Sequence, residues 1–111
     1  MREEDTFKIV CDGVFPNADR IHPLMQRPLL AAYEKIKNDS DVIEFIVFGS
    51  SVTKHCRTGS DLDVYVELKK EKKMREIMDL NALHCDLDFW TNFTASDALK
   101  EEILKTGVRI K

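Results

Sequence analysis

The sequence predicts a small α+β domain in which helices pack on one mixed β-sheet. Three observations predict this class. The chain has 111 residues, the length of one domain. Two apolar runs, Val42–Phe48 and Leu62–Leu68, have the length and the β-branched or aromatic character of strands. Segments with helical periodicity precede and follow these two runs, so helices and strands are mixed along one chain.

The first quarter of the chain, residues 1–28, is predicted to be an irregular N-terminal extension, and residues 29–111 form the expected globular domain. All three prolines lie in the extension, where they disfavour regular structure. Within it, Phe7–Cys11 is predicted to form a short strand. Pro28 suits the first turn of a helix, and the apolar spacing after it predicts the first helix.

The remaining elements follow from periodicity. Residues 69–83 are basic and then amphipathic, which predicts a second helix. Residues 84–91 alternate between apolar and polar side chains, which predicts a third strand. A last helix is expected over 96–105, with Thr94 or Ser96 as its N-cap. Residues 108–110 are expected to add a short edge strand.

Four aspartates accompany the second and third strands: Asp61, Asp63, Asp86 and Asp88. Side chains two positions apart on a strand share a face, so each pair brings two carboxylates together. Carboxylates at that distance repel each other unless a cation lies between them. Oxygen ligands of this kind suit Mg²⁺. Surface strands also carry Asp-x-Asp pairs without a metal, so either pair alone is weak support for a metal site.

A glycine–serine loop directly follows the first strand. Gly49 allows a ligand to approach the backbone, and the amides and hydroxyls of Ser50 and Ser51 suit phosphate oxygens. An ordinary turn with Ser50 as an N-cap would explain the loop by itself. It would not explain the order of strand, Gly-Ser, connection and carboxylate pair.

The segments GSSVTKHCRTGSDLDVYVEL and CDLDFW together resemble the nucleotidyltransferase superfamily, which contains the DNA polymerase beta-like enzymes. The family pattern is Gly-Ser, about ten residues, Asp-x-Asp, and a third Asp on a later strand. The chain matches it at Gly49, Ser50, Asp61 and Asp63. The end of the chain is similar to the small, stand-alone minimal nucleotidyltransferases. The resemblance covers about residues 29–110.

The resemblance implies an enzyme that moves a nucleoside monophosphate, AMP from ATP, onto a hydroxyl group with the help of two Mg²⁺ ions. The catalytic and metal-binding residues that it implies are Asp61, Asp63 and Asp88, with Asp86 as the alternative to Asp88. The nucleotide-binding residues that it implies are Gly49, Ser50, Ser51 and Lys54. In that scheme the third Asp also helps to deprotonate the acceptor.

Small members of this kind resemble the antitoxin of a toxin–antitoxin pair, which implies an all-helical HEPN-type ribonuclease toxin as partner and a tyrosine of that toxin as acceptor. The alternative is a catalytically silent antitoxin-like module that neutralises its partner by contact. The carboxylates favour the enzyme. The segment Ser51-Val52-Thr53 lacks the arginine that small members often carry, which favours the module. Whether the protein forms a homodimer stays open.

Composition bears on the class of partner. A net charge of −3 and a pI of about 5.6 disfavour nucleic acid and anionic membranes as partners. No apolar run approaches the roughly 20 residues of a membrane span, and no secretory signal is visible. The three cysteines are odd in number and form no C-x-x-C pair, which is typical of free thiols in a reducing compartment. The expected location is the cytoplasm.

Overall fold

The computed structural model describes residues 6–78 and 85–111, and it confirms the α+β class. The described strands form one sheet in the order β3-β2-β1-β4. Their bounds are β1 Val42–Phe48, β2 Leu62–Leu68, β3 Leu87–Thr91 and β4 Val108–Arg109. The helices are α1 Pro23–Ile36, α2 Met74–Ile77 and α3 Asp97–Thr106, and short 3-10 turns cover Ala18–Arg20 and Gly49–Val52.

The sheet is mixed, as the sequence predicts. Strand β1 pairs antiparallel with β2 and with β4, whereas β2 pairs parallel with β3. The first two strands have the bounds that their apolar patterns predict. A parallel pair needs a long crossover, and this one contains α2. The predicted second helix over 69–83 is wrong for residues 69–73 and 78, which are described and not helical; it is seen at Met74–Ile77, and residues 79–84 lie outside the described part of the chain.

Helix α1 begins at Pro23, earlier than the predicted start at Pro28. Pro23 occupies the first helical position, where its missing N–H costs nothing. The His22 ring caps this end, because its Nδ1 accepts a hydrogen bond from the Leu24 amide at 3.2 Å. Pro28 therefore lies inside the helix. The buried apolar face of α1 consists of Met25, Leu29, Ala32 and Ile36.

Phe7–Cys11 does not form the predicted strand. A buried glutamine of α1 holds the backbone of this segment instead. Gln26 accepts a hydrogen bond from the Val10 amide at 2.7 Å and donates one to the Lys8 carbonyl at 2.8 Å. A glutamine amide presents one acceptor and two donors, so it can satisfy a backbone segment as a neighbouring strand would.

The two faces of the sheet are covered differently. The first face packs against α1 and the N-terminal segment and forms the main core. On the second face, α3 packs through Ile103 over Ile46 and Tyr65. Ser96 caps α3, as predicted, because its hydroxyl accepts a hydrogen bond from the Leu99 amide at 3.1 Å. Within residues 6–78 and 85–111, no helix is long and apolar enough to cross a membrane.

Candidate functional site

The glycine–serine loop lies beside an aspartate of the neighbouring strand. Phe48, the last residue of β1, is paired with Asp63 of β2. Gly49 follows with φ +73°, in the left-handed region that favours glycine. A Cβ atom at this position would overlap Oδ2 of Asp63. Gly49 therefore allows the loop backbone and this carboxylate to lie in direct contact.

Strand pairing then brings a second carboxylate to Asp63. In the parallel pair of β2 and β3, Asp63 lies opposite Asp88. Residues opposite each other in a sheet present their side chains on the same face, so Asp88 is the near neighbour of Asp63. Asp86 precedes the paired part of β3, and its carbonyl accepts a hydrogen bond from the Leu62 amide at 2.8 Å. This end of the sheet also carries Asp61.

The surroundings of Asp63 disfavour its negative charge. Burial is the largest cause, followed by the negative charges of Asp88 and Asp61 and a side-chain hydrogen bond with Asp88. Together they raise the pKa of Asp63 to about 6. Asp61, Asp86 and Asp88 are exposed, whereas Asp63 is half-buried.

The two glutamates on this sheet face have cationic partners. Glu67 forms an ion pair with Lys100 at 3.0 Å, and Glu44 forms one with Arg109 at 2.8 Å. Among the ion pairs of the described residues, none includes Asp63. A half-buried carboxylate that faces other carboxylates is characteristic of a site built for a cation or for proton transfer.

The donor set has the chemistry that a hard divalent cation requires. Aspartate oxygens alone, on one face and with exposed side chains next to a half-buried one, suit Mg²⁺. Over residues 6–78 and 85–111, no three His, Cys, Asp or Glu side chains are already gathered around a common point. The sheet thus brings Asp61, Asp63 and Asp88 together, but their side chains do not converge on a metal position.

The remaining predicted residues occupy the turn after Gly49. Ser50 is half-buried, and its carbonyl accepts hydrogen bonds from the amide and the hydroxyl of Thr53, at 3.0 and 3.1 Å. The Ser51 side chain is completely buried, and its Oγ has no hydrogen-bond partner within the described part of the chain. Lys54 is exposed. The structure therefore brings Gly49 to the carboxylates, while the Ser51 hydroxyl lies inside and the Lys54 side chain reaches solvent.

Beyond the carboxylates, the same face is closed by aromatic packing. Trp90 lies opposite Tyr65 and packs against the cluster that α3 covers, with Phe48 at its border. Helix α3 thus covers the part of the sheet face next to Asp63. The carboxylates lie at the end of that face that α3 leaves uncovered. The half-buried position of Trp90 is explained by this packing.

One residue near the site is not indicated by the sequence pattern. The His22 amide donates a hydrogen bond to the Ser51 carbonyl at 2.8 Å, which ties the start of α1 to the glycine–serine loop. A backbone contact has no side-chain signature, so no motif could have revealed it.

Comparison with known proteins gives one match. The family model described as "Polymerase beta, Nucleotidyltransferase" matches residues 32–111, which includes the loop and all four aspartates. Neither the curated proteins nor the solved structures yielded a match.

Proposed function

The chain belongs to the polymerase beta nucleotidyltransferase family, and we propose that it is a Mg²⁺-dependent enzyme that transfers AMP from ATP to a hydroxyl group. The observation that carries this proposal is the position of Asp63. It lies between the Gly49 backbone and Asp88, half-buried and without a cationic partner among the described residues. Such an arrangement costs folding free energy, and binding of a metal–nucleotide complex would offset the cost.

In this proposal the loop binds the triphosphate. Gly49 is exposed, so a ligand can approach its backbone, and a side chain at this position would displace the Asp63 carboxylate. Ser50 offers its half-buried hydroxyl and amide as donors to phosphate oxygens. Lys54, which is exposed, adds a positive charge near the same phosphates. The buried Ser51 contributes through its backbone.

The carboxylates hold the metal and receive the proton. Mg²⁺ bound at Asp61, Asp63 and Asp88 would neutralise the charge of the triphosphate and of the leaving pyrophosphate. Asp61 and Asp88 are exposed, so their side chains can turn toward Asp63 at little cost. The acceptor oxygen forms a bond to the α-phosphorus as the bond from that phosphorus to the bridging oxygen breaks. The proton of the acceptor hydroxyl passes to Asp88.

A protein side chain is the acceptor that the open site favours. The carboxylates lie at the uncovered end of the sheet face, and two of them are exposed, so an entering group need not pass through a narrow channel. We infer that the acceptor is a tyrosine of a helical, HEPN-type toxin. The resemblance to minimal nucleotidyltransferases supports this choice of partner.

Calorimetric titration with ATP, with and without Mg²⁺, tests the nucleotide site. We expect binding that requires Mg²⁺ and that the double variant Asp61→Asn/Asp63→Asn loses, because two of the three proposed metal ligands lose their charge. The exposed Asp12 lies outside the site, so Asp12→Asn serves as the matched control and should bind as the wild type does. Absence of binding at millimolar ATP would contradict the proposal and favour a module that acts by contact alone.

The two candidates for the third carboxylate give a second prediction. Asp88→Asn should reduce transfer of label from α-labelled ATP to the acceptor by roughly a hundredfold or more, the usual scale for loss of a proton-transfer group. Asp86→Asn should reduce it by less than about threefold, because Asp88 and not Asp86 lies opposite Asp63. The reverse order of effects would move the third role to Asp86. Label from γ-labelled ATP should not be transferred, which separates nucleotidyl transfer from phosphorylation.

A further inference from the structure

The N-terminal segment that precedes the matched family region is built into the core. Phe15, Ala18 and Ile21 are buried and belong to the main hydrophobic cluster, together with Val52 of the glycine–serine turn. The segment that includes them, residues 7–22, is called the N-terminal strap below. It lies outside residues 32–111, so the family model does not account for it.

Hydrogen bonds fix the strap at several points. Gln26 of α1 is completely buried and donates to the Ile21 carbonyl at 3.0 Å, in addition to its bonds with the early strap backbone. The Phe7 amide donates to the Asp19 carbonyl at 2.6 Å, which folds the strap back on itself. Asn17 donates from Nδ2 to the Arg109 carbonyl of β4 at 2.6 Å. The strap is thus anchored both to α1 and to the sheet.

The anchored strap ends against the glycine–serine turn. The His22 amide donates to the Ser51 carbonyl at 2.8 Å, and the Phe7 ring lies 5.3 Å from the His22 ring. Ser51 is completely buried. If its carbonyl lost the hydrogen bond from His22, water could not easily replace it. Gly49, two residues earlier, has no side chain to restrict its backbone. The hydrogen bond from His22 thus holds the Ser51 carbonyl, in addition to the bonds within the turn and the packing of Val52 in the core.

We propose that the N-terminal strap positions the Gly49–Val52 turn for the nucleotide, with His22 as the positioning residue and its backbone N–H as the group that acts. The inference rests on the proposed function, because it assigns the turn to the β- and γ-phosphates of the nucleotide. A site for a charged triphosphate requires groups held in place before the ligand arrives, since ordering them on binding would weaken affinity.

Replacement of His22 by proline removes the N–H and fits the local backbone. His22 has φ −56° and ψ 138°, within the range that proline adopts. Ile21 before it has φ −106° and ψ 130°, which a following proline also tolerates. His22→Ala is the matched control, because it removes the same ring but keeps the N–H. The comparison of the two variants isolates the backbone hydrogen bond.

We expect His22→Pro to bind Mg²⁺–ATP about three- to tenfold more weakly than His22→Ala, the fold-change that corresponds to one hydrogen bond. Affinity for AMP, which lacks the β- and γ-phosphates, should be equal in the two variants. Titrations are run far below the melting temperature of each variant, so a general loss of stability does not alter the ratio of ATP to AMP affinity. An equal ratio in the two variants would overturn the proposal.

Amide hydrogen exchange at residues 50–53 provides a readout that needs no nucleotide. Exchange should be about three- to tenfold faster in His22→Pro than in His22→Ala if the strap holds the turn. Equal rates would overturn the positioning role even where ATP binds. If the wild type binds no ATP but exchange still differs between the variants, the strap fixes the turn and the proposed function is the part that fails.

Discussion

Asp63→Asn is expected to stabilise the metal-free protein at neutral pH and to reduce the proposed transfer activity strongly. The folded-state pKa of Asp63 is about 6, raised from 3.8 by burial and then by Asp88 and Asp61. A carboxyl group with a raised pKa favours the folded state below pH 4, where it is protonated in both states. That contribution is lost as the pH rises through 6, because the folded protein then holds an unfavourable charge. Asparagine has no such charge at any pH.

The size of this effect is modest, because much of Asp63 still reaches solvent. We expect about 1 kcal/mol in the free energy of unfolding above pH 7, after allowance for solvent screening. For a domain of this size that corresponds to an increase in melting temperature of about 4–8 °C. Under the proposed function, transfer should fall by roughly a thousandfold, since Asp63 is there a ligand to the metal.

Thermal unfolding between pH 4 and 8, without divalent cations, measures the effect. The advantage of Asp63→Asn over the wild type should grow between pH 4 and pH 7 and then level off. Asp12→Asn, which removes an exposed negative charge elsewhere, should show no such growth. If the stability difference between Asp63→Asn and the wild type did not change with pH, the charge of Asp63 would not destabilise the folded protein. Added Mg²⁺ should raise the melting temperature of the wild type but not that of Asp63→Asn.

The sheet could be predicted from the sequence because its patterns are local. The β-branched and aromatic run of β1 and the strict alternation of β2 both specify strands without reference to the rest of the chain. The start of α1 is less well determined, since Pro23 and Pro28 both suit a first turn. Phe7–Cys11 has the composition of a strand, but Gln26 provides its backbone with partners, and no local pattern reveals a partner on another element.

The candidate site could likewise be predicted from the sequence only in part. Alternation predicts that Asp61 and Asp63 share a face, but it cannot tell whether Asp86 or Asp88 lies opposite Asp63. That choice depends on the register of β2 and β3, which tertiary packing sets. The burial of Ser51 is also a tertiary property, because a four-residue turn has too few residues for a periodic pattern.

Gly49→Ala is expected to be the most damaging single substitution in the glycine–serine loop. An alanine at φ +73° costs about 1–2 kcal/mol through backbone strain alone. The new Cβ would also overlap Oδ2 of Asp63, so the turn or the carboxylate must move. Displacement of either group by about 1 Å should reduce ATP affinity or transfer on the order of a hundredfold.

Gly59→Ala is the matched control for the strain. Gly59 also has a left-handed backbone, with φ +91°, but a Cβ there would meet nothing within 4 Å. Both variants should lose stability through strain, and only Gly49→Ala should lose nucleotide binding as well. If Gly59→Ala impaired ATP binding as strongly, the loss would come from strain in the loops and not from contact with Asp63.

A double-mutant cycle then tests the contact itself. Asp63→Ala removes the carboxylate that the new Cβ meets, so Gly49→Ala should cost less stability in that background than in the wild type. The difference between the two costs measures the overlap, while the strain at φ +73° is common to both and cancels. Equal costs would mean that the turn moves away from Asp63 without resistance. Such freedom would also contradict a loop held in place for phosphate, so this cycle examines the glycine, the carboxylate and the rigidity of the turn together.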